Sequence, residues 1–222
     1  MEAIVPKKEW AVPMRINHWA TAVTIGVLIV TGFYIAEPFS IGTGETVDKF
    51  FMGDVRFWHI FFGVVLLFLF IWRVYLAFFS RFHADWKDFL AWVEVKDFIR
   101  QVKFYLLISR ERPKHEYLYG PLQSLAYAGF FLLLLMIVLT GLILLGAGYH
   151  AGWTGFIYSL VKPFETMMGG LAMVRWIHHI LMWLMIPFIV VHVYMAFWYD
   201  AVIKEGIVSG MINGRVFKKS HT

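Results

Sequence analysis

The sequence predicts an all-α integral membrane protein, a four-helix bundle formed by one domain over residues 1–222. Three observations predict this class. Hydrophobic residues make up 60% of the chain, four segments are long and apolar enough to span a bilayer, and the basic residues gather in the loops. Only 16% of the residues are charged, against about a quarter in soluble domains. Apolar surface in such excess is stable in lipid rather than in water.

Four segments satisfy the length requirement of a transmembrane helix, which is about 20 apolar residues. We predict spans over residues 16–36, 57–79, 122–146 and 176–198. Trp and Tyr residues lie near the ends of these segments, as they do in the aromatic belts of membrane interfaces. The third segment contains no charged residue at all.

The loop charges predict the orientation. Residues 80–119 contain eight Lys and Arg residues, whereas residues 37–55 contain Lys49 against four acidic residues. By the positive-inside rule, the basic middle loop and both termini are cytoplasmic, which predicts a multi-pass protein of a bacterial inner membrane. The same rule explains the net charge of +5 by contact with membrane lipid, with no nucleic acid partner.

The middle loop also contains a helical pattern. From Trp86 to Ile108, apolar residues recur at helical spacing with charges between them. We predict an amphipathic helix on the cytoplasmic membrane face. The alternative is a cytoplasmic extension of the second span.

The chain has no cysteine. This excludes disulfides, thiolate catalysis, iron–sulfur ligation and covalent haem attachment through a CxxCH motif.

Five of the nine histidines lie within apolar segments, where an ionisable side chain is costly and therefore a functional candidate. His178 and His192 are 14 residues apart, almost four helical turns, so they share one helix face about 21 Å apart. His179 lies on a different face, which favours His178.

Matching the histidines by depth gives two pairs. His59 and His178 lie near the outer face, and His18 and His192 lie near the cytoplasmic face. Two imidazoles from facing helices within an apolar sleeve are what a b-type haem requires, so we predict two haems and an electron path across the membrane. The alternatives are histidines that only pack by hydrogen bonding, and zinc, whose ligands would converge at one depth.

Arginines and glycines near the candidate ligands each have two possible roles. Arg15, Arg56 and Arg175 flank ligand positions and either pair with haem propionates or anchor the helices at the interface. Glycines within the spans either let a porphyrin approach or form helix contacts: Gly26, Gly32, Gly63, Gly129 and Gly141. The strings Ile29-Val-Thr-Gly32 and Ile137-Val-Leu-Thr-Gly141 are similar but too short to establish a repeat.

Several motifs resemble a known family. The string Pro13-Met-Arg-Ile-Asn-His18-Trp19 resembles the opening of the four-helix di-haem cytochromes b, which include formate dehydrogenase gamma subunits. Further strings resemble the b-type cytochrome subunit of membrane-bound nickel–iron hydrogenases: Arg56-Phe-Trp-His59, Arg73-Val-Tyr-Leu-Ala-Phe78, Trp176-Ile-His178, His192-Val-Tyr-Met-Ala196 and the tail Ser209-Gly-Met-Ile-Asn-Gly214.

The resemblance implies a function and a set of partners. It implies that His18, His59, His178 and His192 ligate two haems, and that electrons pass from a periplasmic hydrogenase to a quinone. The partners are then the iron–sulfur small subunit and the nickel–iron large subunit of the hydrogenase. The quinone site is expected near the inner haem, with His115, Tyr119 and Gln123 as its candidates. Gly120-Pro121 stands where relatives often have Asn-Pro, which leaves these three in doubt.

Two other functions compete with this interpretation. The same haems would serve a formate dehydrogenase, another reductase or a stand-alone cytochrome. Membrane histidines would also serve as proton relays in a transporter or channel. Transporters usually have broken helices or paired repeats near the midplane, whereas the third span here is unbroken.

Overall fold

The computed structural model describes residues 4–39, 50–79, 95–105, 108, 120–149, 151–204 and 206–219. This part of the chain forms seven helices and two strands. It packs as two compact units. The first unit comprises Met1–Ile16, Arg73–Leu134 and Met185–Thr222, and the second comprises Asn17–Trp72 and Leu135–Leu184.

Four long apolar helices dominate the structure: α1 (Val12–Ala36), α2 (Phe51–Phe79), α4 (Pro121–Gly148) and α6 (Leu171–Ile203). Each is long and apolar enough to cross a membrane. The predicted all-α class with four spans is confirmed. Each helix extends beyond its predicted span by up to six residues at one end or both, because backbone hydrogen bonding continues past the apolar stretch that identified the span.

The middle loop contains a helix inside the predicted range. Helix α3 runs from Val95 to Tyr105, and an ion pair joins Arg100 to Asp97 at 3.1 Å. The rest of the predicted range, except Ile108, lies outside the described residues. The position of α3 at the cytoplasmic membrane face stays a prediction.

A further helix, α5 (Gly152–Met167), follows α4 and was not predicted. Its residue Val161 packs with Ile143 of α4 and Val174 of α6 in a buried cluster of the second unit. Gly146 lies so close to α5 that an added Cβ would stand 2.6 Å from the Cβ of Tyr158. The segment contains glycine and Pro163, so tertiary packing rather than helix propensity stabilises it.

The two chain ends pair with each other in the first unit. Strand β1 (Ile4–Lys8) runs antiparallel to β2 (Arg215–Lys219), with Lys8 opposite Arg215. Helix α7 (Ile207–Asn213) precedes β2 and ends at Gly214, whose φ of 85° is left-handed. The first and last described segments of the chain therefore lie side by side.

Candidate functional site

His59 of α2 and His178 of α6 face each other within the second unit. Their ring centroids are 6.4 Å apart, and their planes are inclined by 74°. A metal–imidazole bond of about 2 Å on each side places the centroids of two opposed ring ligands roughly 6 Å apart. The spacing therefore fits two imidazoles that would hold one haem iron between them.

A threonine from another helix lies within hydrogen-bond distance of each of these histidines. Thr31 Oγ1 of α1 lies 2.8 Å from His59 Nδ1, and Thr140 Oγ1 of α4 lies 2.8 Å from His178 Nδ1. The two contacts involve the same atoms at the same distance. Sequence reasoning missed both threonines.

The hydroxyl protons already have acceptors. Thr31 donates to the carbonyl of Val27 at 2.7 Å, and Thr140 donates to the carbonyl of Met136 at 2.8 Å. A carbonyl accepts and never donates, so each threonine oxygen is left to accept a proton from the histidine. Each Nδ1 then carries hydrogen, and each Nε2 keeps the lone pair that binds a metal.

A glycine follows each threonine and brings the helix backbone close to the ring. A Cβ added at Gly32 would lie 3.4 Å from Cε1 of His59, and one at Gly141 would lie 3.6 Å from Cε1 of His178. Both glycines therefore serve close contact between a helix and a candidate ligand.

A cavity of about 370 Å³ opens beside His59. Its lining is mainly apolar and includes Ile35, Ile60 and Tyr149, with Arg56 as its one cationic residue among those described. Arg56 therefore lies where a carboxylate on a bound group would meet a positive charge. Arg175 is exposed near the start of α6 and is not among the described residues that line this cavity.

His179 has a different environment from its neighbour. Its Nε2 accepts a hydrogen bond from Nε1 of Trp183 at 3.0 Å, and Trp183 packs edge-to-face against Phe33. A nitrogen that accepts this bond has its lone pair engaged. The surroundings of His179 thus differ from those of His178, and the choice of His178 as the ligand stays a prediction.

The other predicted pair divides between the two units. In the second unit, His18 contacts the neighbouring Trp19 edge-to-face at 5.2 Å. In the first unit, His192 lies parallel to Phe188, with centroids 6.2 Å apart, and Phe188 stacks on Phe130. The pairing of His18 with His192 stays a prediction.

Arg15 contacts the C-terminal segment. Its guanidinium donates a hydrogen bond to the carbonyl of Ile212, and a Cβ at Gly214 would lie 3.4 Å from it. This contact anchors the start of α1 to the segment that precedes β2. A second role for Arg15 at a haem propionate stays a prediction.

Of the quinone-site candidates, His115 and Tyr119 lie outside the described residues. Gln123, in the first turn of α4, donates a hydrogen bond from Nε2 to Tyr127 Oη at 2.9 Å. Tyr127 was not predicted, although its position one turn after Gln123 was the available signal.

Comparison with known proteins supplies a family. The model of a family described as prokaryotic cytochrome b561 matches residues 9–214. Three relatives are described as probable Ni/Fe-hydrogenase B-type cytochrome subunits, that of Escherichia coli K12 as a subunit of hydrogenase 1. The relative from Azotobacter chroococcum is 35% identical, with 93% of this chain and 87% of the relative aligned. That from Rhodobacter capsulatus is 34% identical over 93% and 80%, and that from Escherichia coli K12 is 30% identical over 91% and 87%. These matches confirm the resemblance predicted from the motifs.

Proposed function

Because this chain belongs to the prokaryotic cytochrome b561 family, we propose that it is a di-haem membrane subunit carrying electrons from a periplasmic nickel–iron hydrogenase to the quinone pool. Family membership itself implies a multi-pass b-type cytochrome that transfers electrons. The facing pair of His59 and His178 is the observation that supports the proposal most directly.

In the outer haem site, His59 and His178 would hold the haem iron through their Nε2 atoms. The haem supplies a one-electron carrier when bound. Ile35 and Ile60 keep water from the neighbouring cavity, and Arg56 attracts a propionate into it. The low dielectric of this lining strengthens that attraction.

In the inner haem site, His18 and His192 are the ligands. Support comes from the helix geometry of the sequence: His192 lies 14 residues after His178 on the same helix face, about 21 Å further along the axis. Arg15, three residues before His18, is the candidate for a propionate contact in this site, whereas Arg175, three residues before His178, is a second candidate for the outer site.

The electron donor is the iron–sulfur small subunit of a hydrogenase whose large subunit oxidises hydrogen at a nickel–iron centre. Support for this partner comes from the names of the relatives, all of them hydrogenase cytochrome subunits. The acceptor is a quinone, which takes up two electrons and two protons to become the quinol. We place it near the start of α4, with His115, Tyr119 and Gln123 as candidate contacts.

The test uses membranes that contain the complete complex. Hydrogen gas should reduce b-type haem in a visible difference spectrum, and dithionite should give the total haem content. His59→Ala and His178→Ala should each remove one haem and abolish reduction by hydrogen. His179→Ala is the matched control, because His179 is adjacent in sequence but bonded to Trp183, and it should keep both haems. His18→Ala and His192→Ala should each remove the other haem and block quinone reduction.

Other outcomes would overturn parts of this proposal. Haem bands that appear with dithionite but never with hydrogen would replace the hydrogenase by a formate dehydrogenase or another donor. An absence of haem bands with both reductants would refute the cytochrome assignment.

A further inference from the structure

His59 and His178, the proposed ligands of the outer haem, are each contacted by a Thr-Gly pair in the same arrangement. One pair belongs to α1 and the other to α4. In α1, Thr31 and Gly32 contact His59; in α4, Thr140 and Gly141 contact His178. In both cases the threonine hydroxyl also bonds the carbonyls three and four residues earlier in its own helix. The correspondence covers bonding partners and spacing, which the short similar strings in the sequence could not establish.

Resting on the proposed function, we infer that Thr31 and Thr140 are positioning residues of the outer haem site. Each accepts the Nδ1 proton of one ligand histidine, so that the ring presents Nε2 to the iron. Together they hold the two imidazole planes close to perpendicular, at 74°.

The directions of the hydrogen bonds carry the first part of this inference. A threonine hydroxyl has one proton, and a carbonyl of its own helix takes it. The oxygen of each threonine is therefore left to accept the Nδ1 proton of its histidine. Metal-ligating histidines generally donate their second nitrogen in this way, which fixes the tautomer and increases ligand basicity.

The placement of the threonines carries the second part. Thr140 is fully buried, and the hydroxyl of Thr31 is tied to the backbone of α1, so neither acceptor can follow a rotating ring. Each ring has its Nδ1 fixed by a hydroxyl and its Cε1 edge against a glycine. These contacts fix the rotation of each ring about its axis, and therefore fix the angle between the two ring planes.

The angle between axial imidazole planes has a spectroscopic signature. Near-perpendicular planes make two iron d orbitals almost equal in energy, which gives ferric low-spin haem a strongly anisotropic electron paramagnetic resonance signal. Parallel planes give a more ordinary rhombic signal. The outer haem of the wild-type complex should therefore show the strongly anisotropic form.

The test replaces the hydroxyl without changing the shape of the side chain. In Thr31→Val, the His59 ring loses its 2.8 Å acceptor and should rotate away from its wild-type angle, so the anisotropic signal should shift. The loss of a bond that increases ligand basicity should also weaken the preference for ferric over ferrous iron. If this preference for ferric iron falls tenfold, the reduction potential of the haem rises by about 59 mV. Thr140→Val should act in the same direction through His178.

Two further variants separate positioning from packing. Thr31→Ser restores the hydroxyl and should return both the signal and the potential toward wild type. Thr24→Val changes another buried threonine of α1, two turns earlier, and should leave both unchanged. Spectra and potentials are measured in the purified complex, with haem content determined separately.

The outcomes distinguish this inference from the function beneath it. If His59→Ala removes a haem while Thr31→Val keeps the wild-type signal and potential, the inference is wrong and the proposed function stands. If His59→Ala and His178→Ala leave both haems in place, the ligand assignment itself is wrong. Identical shifts in the Val and Ser variants would mean that any change in side-chain packing at position 31 alters the site, and the inference about the hydroxyl would be wrong.

Discussion

At the residue scale, the backbone of α1 approaches the imidazole ring of His59 closely at Gly32. Gly32 stands where any Cβ reaches ordinary contact distance from His59, and Met182 closes the same space at 3.6 Å. An alanine methyl just fits at 3.4 Å, whereas a branched side chain must displace the ring. Position 32 therefore has space for one methyl group and no larger side chain.

We expect Gly32→Ala to keep the outer haem and Gly32→Val to lose it in large part. The extra methyl groups press on His59, and overpacking of this kind costs about 1–3 kcal/mol, which weakens haem binding by about 5-fold to 150-fold. Haem content per protein, measured after purification in detergent, checks the prediction. Equal haem content in the two variants would show that the ring moves freely.

At the element scale, α5 depends on a contact with one residue of α4. The Cβ and Cα of Tyr158 lie 2.6 and 3.1 Å from the position of a Cβ at Gly146, closer than packed atoms can come. Behind this contact, Ile143 and Val174 are fully buried. Glycine at position 146 thus permits the close packing that holds α5 as a helix.

Gly146→Ala should separate α5 from α4 and destabilise the protein by about 1–3 kcal/mol. Gly148→Ala is the matched control two residues later in α4, because nothing lies within 4 Å of its added methyl group. Thermal unfolding in detergent, followed by release of haem, should show a lower midpoint for the first variant and little change for the second. Equal midpoints would contradict the packing argument.

Pairing of the two chain ends is a property of the whole molecule. Backbone amides of Glu9 and Trp10 donate to the carbonyl of Gly214, next to the β1–β2 ladder. A Cβ at Gly214 would lie 2.8 Å from the carbonyl oxygen of Trp10, so glycine is required there for both its backbone angle and its size. The contact of Arg15 with Ile212 strengthens the same junction.

The absence of native cysteine allows a direct test of this pairing. The double variant Lys8→Cys with Arg215→Cys places two thiols at partner positions of the ladder, so mild oxidation should cross-link them. Lys8→Cys with Lys219→Cys is the control, since these positions lie at opposite ends of the ladder, and it should cross-link poorly. Equal cross-linking of both pairs would show that the strands are not held in register.

The same thiols test the predicted orientation. A membrane-impermeant maleimide should label Lys8→Cys in inside-out vesicles and should not label it in intact spheroplasts, because both termini are predicted to be cytoplasmic. Arg215→Cys should behave identically, since it pairs with Lys8. Labelling in spheroplasts would reverse the orientation.

Sequence alone determined the class of fold and the candidate ligands. Transfer of an apolar segment into lipid depends on its composition and length. Both are local properties of the sequence, so the four spans could be predicted from the sequence alone. The helical repeat likewise placed His178 and His192 on one face without knowledge of any neighbour. Buried ionisable residues are few, and this scarcity marked His59 as a candidate.

Only the tertiary structure decided which side chains bond the candidate ligand histidines and which further segments form helices or strands. Thr31 and Thr140 bond histidines 28 and 38 residues away, and threonine in an apolar helix has no local pattern that reveals such a partner. Helix α5 and the β1–β2 pair escaped prediction for the same reason. Their stability comes from contacts between distant parts of the chain, which propensity and periodicity do not encode.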